Sequence, residues 1–303
     1  MSDNLRGIIA ILGASVAFIL NDSVVKLMSA DIPVGELIAL RGMLATLFIM
    51  ICAAATGGLA PPSVLLEPVI AARVVTAAFA TLFIVLSLKY NSLAVYSAIL
   101  QVTPIMVTLG SAALLGEKVV WQRWLAIAAG FTGMMLIVRP TSSGFDSYVL
   151  LPICALLFTA ARDLTTRMIR RSVSTFYVAG VSSALITVFG FGFLPYETWV
   201  WPSLKTWGML VFTAVCLVFA YTLIVHAMRT GDVSAVAPFR YTTIPMAIGL
   251  GYLFWGDVPD RIATLGIVII IAAGLYSLRY ENMSRVARRD DVAPAGEAKR
   301  PIT

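Results

Sequence analysis

The two halves of this chain carry one apolar pattern twice. Residues 88–117 align without a gap on residues 228–257 at an offset of 140. Lys89 then falls on Arg229, Asn91 on Gly231, Gly116 on Gly256 and Glu117 on Asp257. Nearer the start, Asn21-Asp22-Ser23 corresponds to Arg162-Asp163-Leu164 and Lys26 to Arg167, at an offset of 141. Internal symmetry of this kind in a chain of long apolar stretches is the pattern of carriers whose substrate site lies between the repeats, near the bilayer midplane.

The apolar stretches leave one choice of solvent. The chain is 59% hydrophobic and 13% charged, where a soluble domain carries about 25% charged residues. So much apolar surface must face lipid, and only structures that satisfy their own backbone hydrogen bonds survive there. Cys52, Cys154 and Cys216 each sit in an apolar stretch without CxxC spacing and read as packing residues. The first apolar run is too long for the core of a cleavable signal and has no A-x-A site behind it, so it is expected to stay as a helix.

A span needs about 20 apolar residues. Turn and charge signals divide the chain into ten: 6–28, 33–56, 69–90, 92–115, 119–138, 148–170, 174–194, 205–229, 232–255 and 260–279. With a cytoplasmic N-terminus, fourteen Lys and Arg residues fall inside and five outside, while Arg41, Arg162 and Arg240 lie too deep to vote. That bias places both termini in the cytoplasm. Five spans per repeat then invert the second repeat relative to the first. The expected fold is an all-α integral membrane protein of ten transmembrane helices. Residues 1–140 form the first five-helix repeat, 141–280 the inverted second, and 281–303 a disordered basic tail. The positive-inside bias explains the net charge of +6 without a nucleic-acid partner.

Ionisable groups inside spans cost roughly 2.5–3.5 kcal/mol each at a helix centre, so they mark function. Asp22 lies six residues before Met28, and Arg41 eight after Pro33. Roughly 9 and 12 Å of helix put them at similar depth in the outer half. Asp163 and Arg240 lie at comparable depth from the inner face. The expectation is an outer Asp22–Arg41 pair and an inner Asp163–Arg240 pair, reading either as gates of a cavity or as static locks between helices. Arg162 reads as a residue that snorkels inward. His226, the only histidine, reads as an interface residue or a proton relay. Glu36 reads as a solvated acid at a helix start.

Polar and aromatic residues recur at matched depth on the fourth and ninth spans. Tyr96, Gln101, Thr103 and Pro104 stand on one; Pro238, Arg240, Tyr241, Thr243 and Pro245 on the other. Proline inside a span frees carbonyls and kinks the helix. These positions are expected to floor a cavity, with Phe79 and Phe219 as apolar walls and Phe18 and Asn21 on the first span nearby. A helical period cannot turn Tyr96, Gln101 and Thr103 to one face, and Gln101, Arg240 and Tyr241 are the favoured liners. The fifth and tenth spans carry small-residue stripes, Ala126 to Gly133 and Gly266 to Gly274. These suit close helix packing or a homodimer contact, so the chain is expected as a monomer or a homodimer through them. No metal, cofactor or nucleotide motif appears, and none of HExxH, GxSxG or a Walker loop. An enzyme is not expected.

These features together resemble the EamA family of the drug/metabolite transporter superfamily. The resemblance is carried by two five-span repeats, the Gly116-Glu117 that closes the fourth span, Trp121-Gln122-Arg123 after it, and Gly130 with Gly133. The second copy, Gly256-Asp257 and Gly274, carries Asp for Glu and lacks the Gln. The resemblance implies a cavity bordered by spans one to four and six to nine, a bacterial inner-membrane location, and efflux of small metabolites. Within the family, the aromatic amino-acid exporters of the YddG type are the first relatives it suggests. Export of amino acids by alternating access is therefore expected. The alternatives are export of drugs or organic cations, uptake by the same fold, a membrane-embedded enzyme, or a structural membrane protein that transports nothing.

Overall fold

The computed structural model describes residues 3–55, 67–115, 121–138, 147–169, 175–230 and 236–292. All regular structure among them is helical. In chain order the helices are α1 (Asp3–Met28), α2 (Val34–Ala55), α3 (Pro68–Tyr90), α4 (Leu93–Leu100), α5 (Thr103–Leu115) and α6 (Trp121–Val138). A 3-10 turn, Ser147–Val149, leads into α7 (Leu150–Met168), then α8 (Thr175–Phe191) and α9 (Leu204–Thr230). A second 3-10 segment, Ala237–Thr242, precedes α10 (Thr243–Trp255), and α11 (Arg261–Val292) ends the described chain. Gly116 and Glu117 lie outside the described residues, as do residues 293–303 of the expected tail.

Among the described residues, six helical stretches are long and apolar enough to cross a membrane: Asp3–Met28, Val34–Ala55, Pro68–Tyr90, Leu93–Leu114, Ser147–Met168 and Leu204–Ile224. Shorter apolar helices are Trp124–Val138, Tyr177–Phe191 and Arg261–Ser277. Their outward faces are apolar. Leu47, Ile51, Val75, Leu114, Val215 and Val268 are each half or more exposed, a surface suited to lipid and not to water.

The helices pair across the two halves of the chain. The most extensive contacts are α1 with α9, α2 with α8, α3 with α7 and α6 with α11, and α4 packs on α10. The stripes expected for close packing meet each other here. A Cβ on Gly133 would lie 2.7 Å from the Gly266 carbonyl oxygen, and one on Gly266 would lie 2.6 Å from that of Gly133. That contact is used within one chain. The C-terminus of α10 is closed by Gly256 at φ 68°, with its N–H on the Tyr252 carbonyl and the Asp257 N–H on that of Gly251. Left-handed backbone there favours glycine.

One expectation changes. Glu36 is not a solvated acid: it is 1% exposed and accepts a hydrogen bond from the Val200 N–H at 2.9 Å. The segment after α8 folds over the start of α2, where Glu197 accepts the free Gly35 N–H at 2.8 Å. The last helix runs from Arg261 to Val292. Glu281, Met283, Ala287, Arg288 and Arg289 are good helix formers.

Candidate functional site

The fourth span is two helices. α4 stops at Leu100 and α5 begins at Thr103, with Pro104 in its first turn. Pro104 has no N–H for the Leu100 carbonyl, and the Thr103 hydroxyl donates to that oxygen at 2.5 Å instead. The corresponding place in the second half is broken as well, with its proline one residue later. The 3-10 segment ends at Thr242, Pro245 stands in the first turn of α10, and the Thr243 hydroxyl donates to the Arg240 carbonyl at 2.9 Å. Gln101 Nε2 then donates to the same Arg240 carbonyl at 2.7 Å. The two interrupted helices are thereby clipped together. Interrupted helices at membrane depth are tolerated where the freed backbone is buried in protein or lines a cavity.

Beside this clip lies a line of polar side chains from seven helices. Arg41 on α2 donates from Nη2 to Asn21 Oδ1 at 3.1 Å, and Asn21 Nδ2 donates to Asp22 Oδ1 at 2.8 Å. The expected Asp22–Arg41 pair is thus bridged by a buried amide. Asn21 precedes Asp22 on the same helix and can accept with one end while donating with the other. The Tyr96 hydroxyl on α4 interacts with Asp22, and Tyr96 is buried.

The expected Asp163–Arg240 pair is not formed. Asp163 is bound by its neighbour Arg162, whose Nε and Nη2 donate to Oδ1 at 2.9 and 2.8 Å. A long guanidinium stem curls back over the adjacent carboxylate, while the Arg240 side chain is exposed and offers only its carbonyl to the clip. Arg162 therefore turns to Asp163 instead of snorkelling. Arg73 on α3 joins them. Its Nη1 donates to Ser182 Oγ at 2.9 Å, and it lies within electrostatic reach of Arg162, Asp163 and Tyr221. Tyr221 on α9 is also within reach of Arg41 and Arg162. It ties the two groups into one polar track.

Aromatic rings flank the track. Phe18 meets Tyr221 edge-on at 5.7 Å. Phe158 stacks on Phe79 at 5.1 Å and on Phe83 at 5.5 Å, and Phe189 lies 5.8 Å from Phe79.

Of the residues expected from the sequence, Phe18, Asn21, Asp22, Arg41, Phe79, Tyr96 and Asp163 come together on or beside this track. Gln101, Thr103, Thr243 and the Arg240 backbone form the clip and not a floor. Phe219 does not face Phe79; it is 56% exposed. Tyr241 points the other way. It is buried among Ile137, Ile267 and Ile270, with its ring against the face of Gly274, where a Cβ would collide with the hydroxyl. Arg73, Ser182 and Tyr221 were missed. Arg73 counts among the fourteen inside charges that set the orientation, although it lies more than a turn inside α3. Tyr221 stands near the middle of an apolar helix, where a phenol is a signal in itself.

Similarity to known proteins agrees with this architecture. A riboflavin transporter of Vibrio cholerae is 31% identical over 194 residues, 64% of this chain and 64% of that protein. The match thus spans less than two thirds of that relative. The pseudopaline exporter CntI of Pseudomonas aeruginosa is 26% identical over 269 residues, 88% of this chain and 94% of its own. An S-adenosylmethionine uptake transporter of Rickettsia prowazekii is 25% identical over 58% of this chain and 60% of its own. One solved crystal structure superposes at a TM-score of 0.60 with 20% identity, over 95% of this chain and 98% of its own, a likeness of fold alone. The EamA-like transporter family matches residues 5–139 and again residues 146–279, and the relatives are transporters and not enzymes; this multi-pass membrane protein therefore belongs to the EamA family of the drug/metabolite transporter superfamily.

Proposed function

We propose that this chain is a secondary transporter that exports small amphipathic metabolites, amino acids with aromatic or apolar side chains foremost, by alternating access. The observation that carries the reading is the polar track from Asp22 to Arg73, held between aromatic rings inside an otherwise apolar bundle. Charges buried at such cost line a path for a polar cargo.

The carrier has ten spans in two inverted repeats, residues 1–140 and 141–280, with both termini cytoplasmic in the inner membrane. The pairing of helices supports this. Exchange of the halves turns α1–α9 into α7–α3 and leaves α2–α8 and α6–α11 in place. Ser183 Oγ donates at 3.3 Å to the carbonyl of Gly42, its own counterpart 141 residues away, as residues beside a two-fold axis do. The double family match supports it as well. Rocking of one half against the other, with the Gln101 clip near the pivot, opens the track to each side in turn.

The relative aligned over 94% of its own length is an exporter, which favours efflux. The S-adenosylmethionine relative is an uptake carrier, so uptake by the same fold is the rival. The test is flux from purified protein in liposomes loaded with labelled amino acids, with and without a proton gradient. Efflux of phenylalanine or leucine above empty liposomes supports the reading. Flux only of other solutes removes the amino-acid substrate and leaves the transporter; no flux of any amino acid, organic anion, amine or cation removes the transporter as well.

A further inference from the structure

The polar track is not balanced in charge. Arg41, Arg73 and Arg162 face two carboxylates, Asp22 and Asp163. Asp163 accepts both donors of Arg162 through one oxygen. Arg41 reaches its carboxylate only through Asn21. Arg73 has a neutral hydroxyl, Ser182, as its hydrogen-bond partner. The Nε atoms of both Arg41 and Arg73 are buried and have no hydrogen-bond acceptor. A buried guanidinium donor left unpaired is costly, and a third buried cation without a counter-ion is costlier. A planar anion answers both deficits, since a carboxylate accepts two parallel guanidinium hydrogen bonds.

Resting on the transport reading above, we propose that the substrate of this track is an aromatic carboxylate of net negative charge, with its anionic group on Arg73. The carboxylate takes up the idle Nε–H donor of Arg73 and cancels the unmatched charge. The aromatic part lies against Phe18 and Tyr221, or Phe79 and Phe158. Tyr221, on the helix facing α1, is within reach of all three guanidinium groups and stands at the junction of the two parts. A zwitterion enters with its ammonium still opposed by the surplus charge, and a cation doubles the imbalance.

Three ligands with the same benzyl group separate the cases: N-acetylphenylalanine, phenylalanine and phenethylamine, of net charge −1, 0 and +1 at neutral pH. Calorimetric titration of the full chain in lipid nanodiscs is expected to rank them in that order, with the anion at least tenfold tighter than the cation. Arg73→Gln removes the surplus charge and is expected to erase the advantage of the anion over the zwitterion, while Arg73→Lys retains it. The wild-type series decides even where a variant folds poorly. Equal affinity for the three, tightest binding of phenethylamine, or no binding of either carboxylate overturns the proposal. Liposome flux keeps the two readings apart. Transport of an amine with Arg73→Gln indifferent ends this proposal and leaves the transporter. Anion binding without any flux ends the transporter and leaves the site.

Discussion

The two halves place the same charges on different helices. In the first half, Asn21 and Asp22 stand on α1 and Arg41 on α2. At an offset of 141, their counterparts are Arg162 and Asp163 on α7 and Ser182 on α8. Each half keeps one aspartate and one arginine, but the arginine has moved from the second helix of the repeat to the first. In the first half, the positive and negative groups sit on separate helices and an amide must join them, which couples α1 to α2. In the second half they are adjacent on α7 and satisfy each other locally, so α8 is free to present a hydroxyl. Arg73 takes that hydroxyl and binds α3 to α8 instead. A pseudo-symmetric scaffold thus holds an asymmetric site. One side is a cross-helix strut, and the other is a self-contained pair beside an arginine without a carboxylate of its own.

Substitution should expose the difference. Arg41→Leu leaves Asp22 with no counter-charge in the strut and is expected to cost about 3–5 kcal/mol. Arg162→Leu acts on a pair whose side chains are 25% and 42% exposed and should cost about 1 kcal/mol. Thermal unfolding in one detergent measures both, and equal losses would erase the distinction between strut and pair. The aromatic walls should differ in the same way. Phe79→Ala opens a three-ring stack at a cost of about 2 kcal/mol, whereas exposed Phe219→Ala should change stability by less than about 0.5 kcal/mol. A loss at Phe219 as large as that at Phe79 would mean that the first-half ring has no special role.

Double-mutant cycles sharpen the second-half assignment. Asp163→Asn and Arg162→Gln should couple by about 0.5–1 kcal/mol, and Asp163→Asn and Arg240→Gln should add independently. Coupling to Arg240 would restore the pair expected from sequence spacing. Smallest is the clip. Gln101→Ala removes a neutral donor from the Arg240 carbonyl, which keeps the Thr243 hydroxyl, so a loss of about 0.5–1 kcal/mol is expected. Exchange between inward- and outward-open states, followed by accessibility labelling, should quicken as the halves part more easily. Unchanged exchange would show that the clip does not restrain the motion.

The helical stretches were legible because lipid accepts only long apolar runs closed by turn residues, and that signal is local. So were the breaks in the fourth and ninth spans. Thr103-Pro104 announces a missing N–H with a hydroxyl beside it to replace it, and Pro245 announces a second missing N–H. The presence of deep charges was equally plain. Which charge meets which was not. Spacing along a helix gives depth, but partners are chosen by rotation about the helix axis and by which helix lies opposite. Depth alone paired Asp163 with Arg240, while Arg162 was one residue nearer.

The direction of a side chain was hidden for the same reason. Tyr241 and Gln101 occupy matched positions, yet Gln101 reaches across to the other half while Tyr241 turns into the groove over Gly274. Glu36 looked solvated because nothing near it in the chain shows that residues 193–200 fold over the start of α2. By itself, the sequence determined that this protein is a bundle of membrane helices, where those helices break, and that it carries charges inside. The tertiary structure alone decided which charges are joined and which guanidinium groups are left with idle donors, because rotation and packing between distant helices are set by the whole bundle and not by any one segment.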